Sequence, residues 1–266
     1  MAPGRRAKRV DLVITSLSRF SVREGLGSPP VLAREVIEAF VAKGLQGRTP
    51  STRGTYRSVL RQAGGPASVS GRGIPFSAAP APHPYAQAER AELMAVAMAQ
   101  PRSWRRHSAL ALLALGVGAG LRSGEIVATR RADVTERAGA LDISVGGATP
   151  RTVTVSAPYG ELLAQVTRDA PGDHLFHPQE ADRSYPNFVN DFCRQLVADP
   201  AAVKLSANRC RSSYICDHLV AGTALSALLE LSGIKEVESL LRYARHVDVA
   251  PRSKAALRHL LASERP

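Results

Sequence analysis

Four residues stand out for the chemistry their types allow. Arg209 and Arg211 lie near the start of the run LSANRCRSSYICDHLVAGTALSALLELSGIKEVESLLRYARHV, residues 205–247, and Tyr243 lies near its end. Arg122 sits some ninety residues earlier, in GAGLRSGEI. A guanidinium presents a rigid fork of N–H donors that matches the non-bridging oxygens of a phosphate. A phenol oxygen is a covalent nucleophile. Arginines and a tyrosine can together hold and attack a phosphodiester. Each also has an ordinary structural role. Arg122 can cap a helix or pair with Glu125, Arg211 can be one basic residue among several on a helix, and Tyr243 can be a half-buried core aromatic.

Other constellations are weaker. Gly116, Gly118 and Gly120 invite comparison with a dinucleotide-binding loop, but Leu121 stands where the third glycine of G-x-G-x-x-G belongs. His174 and His177 are three apart, yet no matching Cys/His pair follows and Pro178 argues for a surface turn. Cys193, Cys210 and Cys216 form no C-x-x-C pair and read as reduced thiols in a cytoplasmic chain. No G-x-S-x-G, H-E-x-x-H or Walker loop occurs.

The elements that must position these residues are mostly helical. The chain has 266 residues and a net charge of +12. Up to Pro75 there are 13 Lys and Arg against 4 Asp and Glu, so the first part is the more basic. Such a balance suits an anionic partner, nucleic acid above all, or else a solvated basic surface. Neither a secretory leader nor an apolar run of spanning length is visible, so no membrane association is expected.

Residues 1–27 read as a basic arm with Arg5, Arg6, Lys8 and Arg9, followed by a short helix from Val10 to Phe20. Ser28-Pro29-Pro30 is expected to open a helix that ends at Gly44. Thr49-Pro50 opens another, on which Arg53, Arg57 and Arg61 recur at i, i+4, i+8, as a phosphate-binding stripe or a solvated face. Gly, Pro, Ser and Ala dominate residues 64–84, the best domain boundary in the chain. We divide the chain into the arm 1–27, a helical domain 28–74, a linker 75–84 and a second domain 85–266. In the latter, helices are expected from Gln87 to Met98, from Ser108 to Leu115 (buried on all sides), from Gly160 to Val166, from Tyr185 to Val197 and from Ser206 onward. Alternation at Leu141, Ile143 and Val145, then Val153 and Val155, predicts a β-hairpin. The fold class is mainly α with a small antiparallel sheet.

The segment Gly120-Leu121-Arg122-Ser123-Gly124-Glu125-Ile126 resembles the T-G-L-R-x-x-E-[IL] signature of the tyrosine recombinase (phage integrase) family, with Ala119 in place of the Thr and Asp133 where a later Asp is expected. The second half of that signature is H-x-x-R, a Gly eleven residues on, L-G-H after eleven more, and a Tyr nine past the His. Arg211, Gly222, Gly233 and Tyr243 keep every interval, and RYARHV is similar to x-Y-x-H-V. The layout also matches over about residues 28–247. The resemblance implies that Arg122 and Arg211 hold the scissile phosphate and that Tyr243 attacks it, giving a 3′-phosphotyrosine and a free 5′-hydroxyl. It implies no metal, nucleotide or other cofactor.

Three positions depart from the family. Thr149 stands where a hairpin lysine protonates the leaving oxygen, two residues before Arg151; Asn208 replaces the first His and Ile234 the second. A missing general acid costs about 10²–10⁴-fold in rate. The expectation is a DNA-binding protein that clamps duplex DNA, with catalysis weak or lost; the alternative is an active site-specific recombinase cleaving through Tyr243. Arg5, Arg6, Lys8, Arg9, Arg53, Arg57, Arg61, Arg151, Lys204 and Arg209 are the candidate DNA contacts. The family often exchanges a C-terminal helix between protomers, and residues 253–262 could form one; packing within one chain is the other option. The expected location is the cytoplasm, on the nucleoid.

Overall fold

The computed structural model describes residues 5–26, 32–65, 81–176 and 187–247. The chain divides into two compact units, Met1–Ala79 and Pro80–Pro266.

In the first unit, α1 (Arg5–Arg23) runs beyond the short helix expected inside a basic arm. Val13, Leu17 and Phe20, spaced i, i+4, i+7, are buried with Ile37, Phe40, Val41, Leu45 and Leu60. The helix is therefore part of the unit's core and not a separate arm. Helix α2 (Arg34–Ala39) passes into a π-turn, Phe40–Gly44. The expected start at Ser28-Pro29-Pro30 lies outside the described residues, and α2 begins at Arg34. Helix α3 (Pro50–Gly64) starts as its sequence dictates: Thr49 Oγ1 accepts the Thr52 N–H at 3.2 Å, and Pro50 occupies the first turn, where no N–H is needed.

The second unit is built around α5 (Ser103–Gly116), in which every residue from Ser108 to Gly116 is buried. Helix α4 (Gln87–Met98), the short α6 (Ser123–Ala128), α7 (Ala157–Arg168) and α9 (Ala207–Val220) pack on it. Small residues allow this closeness: a Cβ on Gly118 would lie 2.5 Å from Tyr159 Cβ. The glycines of GVGAG thus serve packing. Helices α8 (Phe188–Arg194), α10 (Leu225–Ser232) and α11 (Val237–Ala244) are the other α-helices among the unit's described residues. The expected helix from residues 253–262 lies outside the described residues, as do His177 and most of the 64–84 segment. Ala81, placed in the linker by composition, is buried, as is Tyr85 at the start of the second domain.

The sheet has three antiparallel strands, β1 (Val134–Arg137), β2 (Ala140–Val145) and β3 (Arg151–Thr154), in the order β1-β2-β3. The expected hairpin is β2-β3, with Ile143 opposite Val153 and Val145 opposite Arg151. Strand β1 is the addition. Only one of its four residues is apolar and three are exposed, so it carries no alternation to read. It turns into β2 through Ala138-Gly139, both at positive φ (50° and 77°), as a two-residue hairpin turn of matching twist requires.

Among the described residues no helix is long and apolar enough to cross a membrane.

Candidate phosphate-binding site

Arg122 is the N-cap of α6. Its amide donates to Glu125 Oε2 at 2.8 Å, and its side chain donates to Glu125 Oε1 (3.2 Å), Thr149 Oγ1 (3.0 Å) and the Gly233 carbonyl (2.5 Å). Arg211 comes from the buried face of α9 and is only 7% exposed. Its Nη1 donates to the Gly120 carbonyl and its Nη2 to the Ser232 carbonyl at 2.6 Å. Gly120 can offer that oxygen because it sits at φ +63°, and a Cβ there would lie 2.3 Å from Cδ1 of Tyr214. Gly233 caps α10 in the left-handed conformation and reverses the chain toward α11, which carries Tyr243 in its last turn.

These elements converge. Arg122, Thr149, Arg211, Ile234 and Tyr243 line one cleft of about 380 Å³. Five of the six positions singled out by sequence therefore meet, and Asn208 does not line the cleft; it is exposed on the first turn of α9. Two further cations, Lys235 and Arg242, line the same cleft. Sequence reading passed over both, although each is adjacent to a residue it had singled out, Ile234 and Tyr243.

Behind the cleft lies a buried ion pair. Arg151 has a side chain only 3% exposed and donates twice to Glu125 (2.8 and 3.0 Å) and once to the Leu231 carbonyl (2.8 Å). A group so enclosed has no surface to offer a DNA strand, which corrects its expected role as a contact; it joins the hairpin to α10 instead. Burial pushes the Glu125 carboxyl up, but the Arg151 hydrogen bonds, the Arg122 amide and both guanidinium charges outweigh burial and hold it below the usual value. Burial lowers Arg211, and the Arg122 charge lowers it further, while Tyr243 and Glu125 oppose both. An arginine stays protonated through such a shift. The cleft thus keeps two fixed guanidinium groups beside a phenol, an arrangement able to hold a phosphate oxyanion.

Four of the other expected contacts, Arg209, Arg57, Arg61 and Arg53, have structural partners. Arg209 pairs with Glu89 at 2.8 Å, donates to the His83 carbonyl and stacks over Tyr85 at 3.9 Å. Arg57 and Arg61 pair with Glu38 at 2.6 and 3.0 Å, and Arg53 donates to the carbonyls of Leu45 and Ala42. Lys204 is exposed and its carbonyl accepts the Tyr85 hydroxyl at 2.7 Å. Arg5, Arg6, Lys8 and Arg9 lie in α1, where their side chains are not described. His174 forms an isolated β-bridge with Arg130.

No protein-family model and no curated protein matches the chain by sequence. Solved structures do match. The XerH site-specific recombinase bound to palindromic difH substrate aligns at TM-score 0.61 and 16% identity, over 92% of this chain and 77% of that one. The Tn1549 transposon integrase in complex with transposon right end DNA aligns at TM-score 0.63 and 14% identity, over 98% and 95%. A lambda integrase dimer bound to a COC′ core site aligns at TM-score 0.54 and 14% identity, over 94% and 77%. Helical architecture, small antiparallel sheet and these alignments agree: the chain has the tyrosine-recombinase fold.

Proposed function

We propose that the protein binds duplex DNA, seats a backbone phosphate between Arg122 and Arg211, and cleaves the strand slowly or not at all. The observation that carries this reading is the composition of one cleft. It holds two guanidinium groups fixed by backbone carbonyls, while the positions that should handle protons are Thr149 and Ile234. A threonine hydroxyl is far too weak an acid to protonate a leaving 5′-oxygen, and an isoleucine donates nothing. Asn208 is exposed and outside the cleft. The similar Tn1549 transposon integrase is in complex with transposon right end DNA, which supports the choice of polyanion. The basic balance of the chain agrees with it.

A second reading, cleavage through a 3′-phosphotyrosine, is favoured by Tyr243 lining the same cleft as both arginines. A duplex nicked next to the scissile position, which traps any covalent intermediate, separates the two. Wild type and Tyr243→Phe are expected to retard the duplex equally and to yield no covalent adduct. An adduct formed by wild type and absent from Tyr243→Phe would establish the enzyme. Failure of wild type to retard DNA at low salt would remove both readings.

A further inference from the structure

The cleft contains more positive charge than the two arginines of the sequence signature. Lys235 leaves the turn after α10 and is exposed; Arg242 immediately precedes Tyr243 and is half-buried. Neither makes an ion pair within the described residues. The Nε of Arg242 is buried and has no hydrogen-bond partner in the protein. Buried guanidinium donors are ordinarily satisfied, and leaving one unmade is costly. Glu236 is the one carboxylate lining the cleft, set against Arg122, Arg211, Lys235 and Arg242.

The turn that carries Lys235 is seated against the hairpin. A Cβ on Gly233 would lie 3.2 Å from Thr149 Oγ1 and 3.0 Å from Arg151 Nη1. Lys235 lines the same cleft as Thr149, whose short hydroxyl carries no charge. The partners of the four cations differ in kind. Arg122 and Arg211 are tied to backbone carbonyls and Glu125, which fixes their direction. Lys235 and Arg242 are held by no such bonds among the described residues, so an anion entering the cleft would be their partner. A phosphodiester supplies acceptor oxygens for such donors.

We infer that Lys235 and Arg242 form a second pair of phosphate-binding residues in this cleft, taking contacts to the DNA backbone that Thr149 and Ile234 cannot make. This inference rests on the proposed DNA binding. It says that the cleft neutralises phosphate with four cations, two prearranged and two recruited by the ligand.

The salt dependence of binding tests it. Binding of full-length protein to a mixed-sequence DNA duplex is measured by fluorescence anisotropy across a salt series. Each cation that neutralises a phosphate contributes about 0.9 to the slope of log K against log salt. Lys235→Gln and Arg242→Gln should each lower the slope by about that amount and weaken binding roughly tenfold at low salt. Arg242→Lys should retain most of the slope, which separates charge from fold. Arg168→Gln removes an exposed charge on α7 outside the cleft and controls for net charge. If Lys235→Gln and Arg242→Gln keep the wild-type slope, or change it no more than Arg168→Gln does, the second pair does not exist although DNA binding stands. If wild type binds no duplex, the proposed function fails and the inference fails with it.

Discussion

Two arginine clusters, one in each unit, look alike in the sequence and are used differently. On α3, Arg57 and Arg61 share the Glu38 carboxylate, with side chains 13% and 19% exposed. In the cleft, Arg211 has two backbone carbonyls and no carboxylate of its own. The difference is the charge of the partner. A carboxylate neutralises a guanidinium; a carbonyl oxygen satisfies its N–H groups and leaves the charge in place. The α3 stripe therefore holds its own unit together, whereas the cleft keeps a field for an incoming anion. Residue type and helix position do not distinguish these uses, because Arg57, Arg61 and Arg211 are all arginines on helices.

The largest effect should come from the ion pair behind the cleft. Glu125→Gln leaves Arg151 buried without its counter-charge and should cost about 3–5 kcal/mol in denaturant unfolding of the second unit. Its pH dependence has a definite sign. Because the folded-state value of Glu125 lies below the usual 4.5, its contribution is complete above about that pH and is lost as pH falls through the folded value. The stability gap between wild type and Glu125→Gln should be widest near neutrality and should narrow below pH 4.5; a gap that widens with acid would contradict the pairing.

Next is Arg211→Leu. It orphans the Gly120 and Ser232 carbonyls and should lower stability by about 2–3 kcal/mol. It should also reduce the salt slope of DNA binding by about 0.9. An unchanged slope in a folded variant would place the phosphate elsewhere. Arg57→Gln sharpens the contrast from the other side. It should cost about 2 kcal/mol of stability in the first unit, since a largely enclosed pair is broken. Its salt slope should match wild type, and a drop of about 0.9 would return the α3 stripe to the list of phosphate contacts. The smallest effect belongs to Asn208→Ala. An exposed side chain outside the cleft should change stability by less than about 0.5 kcal/mol and binding by less than about twofold.

Much of the fold was legible because periodicity reports burial. Val13, Leu17 and Phe20 repeat at helical spacing and are buried. Ser108 to Gly116 have no polar face and have no exposed face either. Ile143, Val145 and Val153 alternate and fill one side of the sheet. Strand β1 was missed because Thr135, Glu136 and Arg137 are all exposed and polar. Of the site, the signature spacing named Arg122, Thr149, Arg211, Ile234 and Tyr243, and all five line one cleft. It did not name Lys235 and Arg242, since a signature lists expected positions and is silent on substitutes beside them.

The sequence by itself determined most of the helices, the β2-β3 hairpin and which proton-handling side chains are absent: Thr149 and Ile234 are facts of composition, whatever surrounds them. Only the tertiary structure decided which arginines have a carboxylate partner beside them. Arg151 and Arg211 are equally basic residues in the sequence. One faces Glu125 and the other faces carbonyl oxygens, and that choice depends on the Gly120 and Ser232 backbones meeting α9 from other parts of the chain. Electrostatic partners are set by three-dimensional proximity over a few ångströms, which linear spacing does not encode.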